Sequence, residues 1–115
     1  MQKPDWLRRV REELYNARMA RKAGNEGKAR VCARRAAGII SGEYLRRNTN
    51  PQPGSSALRR LAALYEYREL DSESREVLGH FLGRVTPEHV LPYNVDLIEE
   101  AEWLAQRLLG TSITE

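Results

Sequence analysis

Side chains that commonly carry chemistry are scarce in this sequence. Among 115 residues there are two histidines, His80 and His89, and one cysteine, Cys32. Zinc needs several Cys or His ligands at close spacing, so no zinc site is expected. One cysteine also excludes an internal disulfide. Cys32 lies among alanines and reads as a small core residue rather than a nucleophile. The segment Gly24-Asn25-Glu26-Gly27-Lys28 is superficially similar to a phosphate loop. Its glycines are too close for G-x-x-x-x-G-K-[ST], Ala29 stands where Ser or Thr would bind magnesium, and no strand precedes it. It reads as a turn, with a weaker anion site at the following helix N-terminus, aided by Lys28, as the alternative. Glu99, Glu100 and Glu102 sit early in a helical segment, where acids complement the helix dipole, and read as a solvated face. Ser41, Ser55, Ser56 and Ser74 have no recognisable base beside them. The sequence therefore implies neither a cofactor nor a metal. What remains is charge: Lys28, Arg30, Arg34, Arg35, Arg46 and Arg47 form the densest basic run, and these six are the candidate binding residues.

The elements that would position them are helices. Pro4-Asp5 before Trp6 signals a helix start with Asp5 as N-cap, and Leu7, Val10, Leu14 and Ala17 recur at helical spacing. Gly24-Asn25 ends this first helix. A second is expected from about Asn25 to Arg47, with Ala29, Cys32, Ala33, Ala36, Ala37, Ile40 and Tyr44 as its stripe. Those side chains are small, so a neighbouring helix can approach closely. Gly38 and Gly42 each cost about 1 kcal/mol inside a helix relative to Ala, which suggests close contact there. Residues 48–56 read as a loop. Ser55 or Ser56 then caps a third helix with Leu58, Leu61, Leu64 and Tyr65 inward. Asp71-Ser72 caps a fourth with Val77, Leu78, Phe81 and Leu82 inward. Pro87 and Pro92 make residues 85–94 irregular. A last helix is expected from about Val95 to Leu109, stopped by Gly110. No alternation supports a strand. The expected fold is all-α: an up-and-down antiparallel bundle of four long helices plus a short or broken one, forming a single domain over residues 1–115.

Charge is unevenly divided. Residues 1–60 hold 15 Lys/Arg against 5 Asp/Glu, and residues 61–115 hold 4 against 11, for a net charge of +3. The basic first half can attract phosphates or an acidic partner, or be neutralised by the acidic half within the fold or across a dimer. No apolar run is long enough to span a bilayer, and the first residues lack the apolar run of a secretory signal. With the single cysteine, this gives a cytoplasmic expectation and no membrane role. Trp6, Trp103 and the five tyrosines read as core or interface aromatics rather than a base-stacking surface. Trp103 and Tyr67 fall beside their helices' main stripes and are candidate interface residues.

Gly24 through Gly38, with the Gly24-Asn25 turn and the central Ala36-Ala37 pair running on to Glu43-Tyr44-Leu45, resembles the signature helix of the HEPN (higher eukaryotes and prokaryotes nucleotide-binding) family. Leu58–Leu70, Arg84–Pro92 and Ile98–Leu109 are similar to the family in order and spacing. The chain has Arg34-Arg35 where many members carry Gln-Gln. The resemblance implies a helical binding module for a nucleotide or other anionic ligand, acting as a homodimer or with a nucleotidyltransferase partner in a toxin–antitoxin-like pair. Catalytic members carry Arg-x(4–6)-His, which Arg75…His80 matches, as does Arg84…His89. Arg75 and His80 are thus the site of the alternative reading, a metal-independent ribonuclease. A purely structural dimerisation subunit is a second alternative. With 16 arginines and two histidines in 115 residues, about one such match arises by chance. Residues five apart on a helix also point about 140° away from each other. The non-catalytic reading is therefore the one expected.

Overall fold

A computed structural model describes residues 4–49, 54, 56–83 and 95–113. Arg84, His89, Ser55 and the expected irregular segment at 85–94 lie outside these residues. Five helices run in order: α1 (Asp5–Lys22), α2 (Glu26–Asn48), α3 (Ala57–Tyr65), α4 (Ser72–Phe81) and α5 (Leu97–Leu109). Among the described residues there is no strand, and no helix is long and apolar enough to cross a membrane.

The helix ends follow from short polar side chains. Asn25 Oδ1 accepts from the Lys28 N–H at 3.0 Å, Ser56 Oγ from Arg59 N–H at 3.1 Å, and Asp71 Oδ2 from Ser74 N–H at 3.0 Å. Asp96 caps α5 by accepting from the Ile98 and Glu99 N–H groups, and Gly110 closes it in the left-handed region at φ 65°. α1 begins differently from the expectation. Pro4 takes the cap position and Asp5 is the first helical residue, its carboxylate paired with Arg8 at 2.7 Å. An acid in the first turn complements the helix dipole without capping it.

α2 is the central element. α1, α3 and α5 all pack on it, whereas α4 lies against α3 and α5. Its expected stripe is buried from Ala29 to Ile40, and Gly38, Ile39, Ser41 and Leu45 are buried as well. A helix enclosed on so many sides needs small side chains, which explains its run of alanines and glycines. The close approach expected at the glycines is present. A Cβ on Gly38 would stand 2.7 Å from both Cα and Cβ of Ala57, so α3 crosses backbone against backbone. A Cβ on Gly42 would meet the Arg60 side chain at 3.0 Å.

Ala57, Leu61 and Leu64 share the face that α3 turns to α2. Leu58, about 100° round from Ala57, is 57% exposed rather than inward. Phe81 and Leu78 from α4, and Ile98, Ala101, Leu104 and Ala105 from α5, complete the core. Cys32 is buried in it, as expected. Trp103 and Tyr67 are half-buried against the core rather than projecting from it.

Candidate anion-binding cleft

The six basic residues singled out on α2 do not form one cluster. Lys28 and Arg46 are 18 residues apart on one helix, about 27 Å at 1.5 Å per residue. Arg34 turns inward and donates from Nε to the Phe81 carbonyl at 3.0 Å. That carbonyl is at the end of α4, where the helix leaves its last acceptors unmatched, so Arg34 serves as a cap. Arg30 is half-buried near the start of α2. Lys28 and Arg35 are exposed and, among the described residues, their side chains have neither a hydrogen bond nor an ion pair. Seven residues apart, they share one face of the helix.

The far end of α2 is organised around Glu43. Arg46 donates from Nε to Glu43 Oε1 at 3.1 Å and from Nη2 to Oε2 at 2.6 Å, and Arg47 Nε donates to Oε2 at 2.9 Å. The Glu43 side chain is only 10% exposed. The hydrogen bond from Arg46, helped by Arg47, outweighs burial and holds this carboxyl below its usual value, so it stays ionised. The Arg47 guanidinium lies over the Trp6 ring at 5.8 Å, a cation–π arrangement. From α3, Arg60 Nε donates to the Gly54 carbonyl at 3.0 Å, which lays its guanidinium across Gly42. Arg9, on α1, is exposed with no hydrogen bond or ion pair among the described residues.

Together these groups line a cleft at the junction of α1, α2 and α3. Its inner part, about 130 Å³, is bounded by Trp6, Arg9, Gly42, Glu43, Arg46 and Arg60. Its outer part, about 490 Å³, extends past Trp6 and Arg47 to Pro4 and Asp5. Of the cleft residues, only Arg46 and Arg47 were identifiable from local charge. Trp6, Arg9, Glu43 and Arg60 come together through the α1–α2 and α2–α3 packing. The one sequence signal for them is Gly42, which leaves room for Arg60.

Arg75 and His80 are engaged on opposite neighbours. Arg75 donates from Nε to the Tyr65 carbonyl at 2.9 Å and from Nη2 to the Tyr67 carbonyl at 2.6 Å, fastening the end of α3. His80 Nδ1 lies 2.7 Å from Glu100 Oε1 on α5, with 7% of its side chain exposed. The two residues do not meet within the chain. Of the acidic trio on α5, Glu100 meets His80, Glu102 pairs with Arg18 of α1, and Glu99 is exposed. Ser41 and Ser74 are fully buried. Among the described residues there is no group of three or more His, Cys, Asp or Glu able to hold a metal. Of the aromatics, Tyr44 and Tyr67 pack edge to face at 6.2 Å, and Trp103 lies under Arg107.

Compared with models of protein families, with curated proteins and with solved structures, the chain matches none.

Proposed function

We propose that the chain is a non-catalytic, HEPN-like binding module of up-and-down bundle architecture. It works in the cytoplasm and presents its basic first half to an anionic ligand, a nucleotide or the acidic surface of a nucleotidyltransferase-type partner, and it associates as a homodimer. The observation that carries this reading is the contrast between two sets of cations. The side chains of Lys28, Arg35 and Arg9 are exposed without a hydrogen bond or ion pair among the described residues, so their charge is available to a ligand. Arg75 is committed to two backbone carbonyls and His80 faces Glu100, so the ribonuclease pair is engaged in contacts that hold helices together. The Ala36-Ala37 pair, on which the HEPN resemblance rests, is fully buried in α2.

The test is anisotropy of a labelled single-stranded RNA titrated with the native chain and with a Lys28→Ala/Arg35→Ala variant. Binding by charge without base-reading groups is salt-sensitive and sequence-indifferent. Expected is salt-sensitive binding that weakens several-fold in the variant. Binding that is unchanged in the variant, or indifferent to salt, contradicts the proposal. Homodimerisation is tested by light scattering at tens of micromolar, where a moderate dimer forms; a monomer alone at that concentration removes that part.

A further inference from the structure

Two large apolar side chains stand exposed one turn apart on α1: Tyr15 is 61% exposed and Met19 45%. The other two among the described residues, Val31 and Leu58, stand singly on α2 and α3. Single exposed apolar side chains are ordinary, whereas an adjacent pair on an open helix face begins a contact patch. α1 turns Leu7, Val10, Leu14 and Ala17 inward and packs on α2 and α5. At about 100° per residue, Met19 points about 180° away from Val10, and Tyr15 about 140° away. Both therefore project from the outer side of the helix. The charges on that side decide what it can receive. Asp5, Arg8, Glu12 and Lys22 are two acids and two bases, so the side is locally neutral and lacks the attraction for an anion that Lys28 and Arg35 have. Among the described residues, Glu12 accepts through Oε1 alone, from Arg8 at 2.7 Å, and the exposed Lys22 side chain has no hydrogen bond or ion pair.

We infer that the outer side of α1 is the surface on which a second copy of the chain docks, the two α1 helices lying antiparallel about a twofold axis that passes between Tyr15 and Met19. The inference rests on the homodimer reading above and supplies its interface. The spacing of the residues selects the arrangement. In an isologous contact, where one residue meets another, the second also meets the first. With Tyr15 set against Met19 of the second copy, Glu12 falls opposite Lys22 of the second copy, because both pairs are centred on position 17. Each contact is made twice, which joins ring to thioether and carboxylate to ammonium on both sides of the axis. Parallel helices would instead set Glu12 against Glu12 and Lys22 against Lys22, and like charges repel. Glu12 to Lys22 spans about 15 Å of helix. A contact of that length falls in the small, transient class below about 1,200 Å², so the dissociation constant is expected to be on the order of tens of micromolar. Trp103 and Tyr67, half-buried against the core, take no part.

The test is sedimentation velocity of the full chain from about 5 to about 500 µM, a range that brackets the expected dissociation constant. The native chain is expected to pass from monomer to dimer within it. Met19→Glu, and separately Tyr15→Glu, place a charge in the apolar centre of the contact and are expected to weaken the dimer by about tenfold or more. Both positions are exposed, so circular dichroism is expected to show native helix content in each variant. Exchanging charges tests the antiparallel arrangement. Glu12→Lys and Lys22→Glu are each expected to weaken the dimer several-fold, and the Glu12→Lys/Lys22→Glu double variant to recover most of that loss. Should the Met19 or Tyr15 variant lose its helices, the charge exchange decides alone. A dimer that persists undiminished in folded Met19→Glu and Tyr15→Glu overturns the inference and leaves the homodimer reading standing, with its interface elsewhere. A double variant that associates no better than the single ones also overturns it. A native chain that stays monomeric throughout the range removes both.

Discussion

Replacing Gly38 by alanine sets two known effects against each other. Alanine is the better helix former by about 0.8–1.0 kcal/mol, so propensity alone stabilises α2. The new methyl, however, would lie 2.7 Å from Ala57 Cα and Cβ. Carbon atoms in good contact are about 3.5–4.0 Å apart, so α3 must retreat by about 1 Å. The obstacle is backbone and a methyl, neither of which can rotate aside, and overpacking of this kind costs about 1–3 kcal/mol or more. Moving α3 also disturbs Leu61 and Leu64, which are fully buried. A clash with backbone falls at the upper end of that range, so the expected net loss is about 1–2 kcal/mol, or roughly 3–10 °C in Tm for a domain of this size. Gly42→Ala is the matched control. The same propensity gain applies, but the methyl meets only the Arg60 side chain, at 3.0 Å, which needs to shift by a few tenths of an ångström while keeping its hydrogen bond to the Gly54 carbonyl. Its Tm is expected to be unchanged or raised. Thermal melts followed by circular dichroism measure both. A Gly38→Ala protein as stable as the native one would refute the backbone contact between α2 and α3.

Stability is expected to fall in acid. Burial pushes the Asp96 carboxyl up, but the hydrogen bond from Arg21 and those from the Glu99 and Ile98 N–H groups outweigh it and hold the group below its usual 3.8. Asp71 is likewise held low against burial by its hydrogen bonds with Ser74, with Arg107 adding to them. Glu43 lies below 4.5 through Arg46. Groups depressed in the fold contribute stability above their ordinary values and lose it as pH falls through the folded ones. Tm is therefore expected to drop between about pH 5 and about pH 3, with a smaller drop in Asp96→Asn; a Tm independent of pH across that window contradicts these assignments. Arg75→Ala removes two hydrogen bonds that hold the end of α3 and is expected to cost about 1–3 kcal/mol while leaving RNA binding intact. Urea titration and anisotropy check the two halves, and an unchanged midpoint contradicts the structural role.

The helices were legible in the sequence wherever one residue does the local work. Asn25, Ser56 and Asp71 cap through their own side chains, and Gly110 ends α5 by adopting a left-handed conformation. Asp5 was misplaced by one position because proline before it takes the cap. Leu58 was misread because an inward leucine and an edge leucine look alike until the facing helix, here brought in over Gly38, fixes the angle. The candidate site was legible only as charge. Nothing local distinguishes Arg34, which reaches the Phe81 carbonyl 47 residues away, from Arg35, which faces solvent. Arg9 and Arg60 carry no local signal that sets them apart, and they join Arg46 only because three helices meet there. Arg75 and His80 matched a spacing, but their actual neighbours, Tyr65, Tyr67 and Glu100, are set by how α4 packs on α3 and α5.

Binding without chemistry is tested most directly by incubating end-labelled single-stranded RNA with the native chain and with His80→Ala, without metal, over a range of salt. Bound and full-length RNA are followed in the same samples. Expected is RNA that is bound at low salt, released as salt rises, and recovered at full length from both proteins. Cleavage by the native chain that disappears in His80→Ala would contradict the binding-module proposal and make Arg75 and His80 an active site.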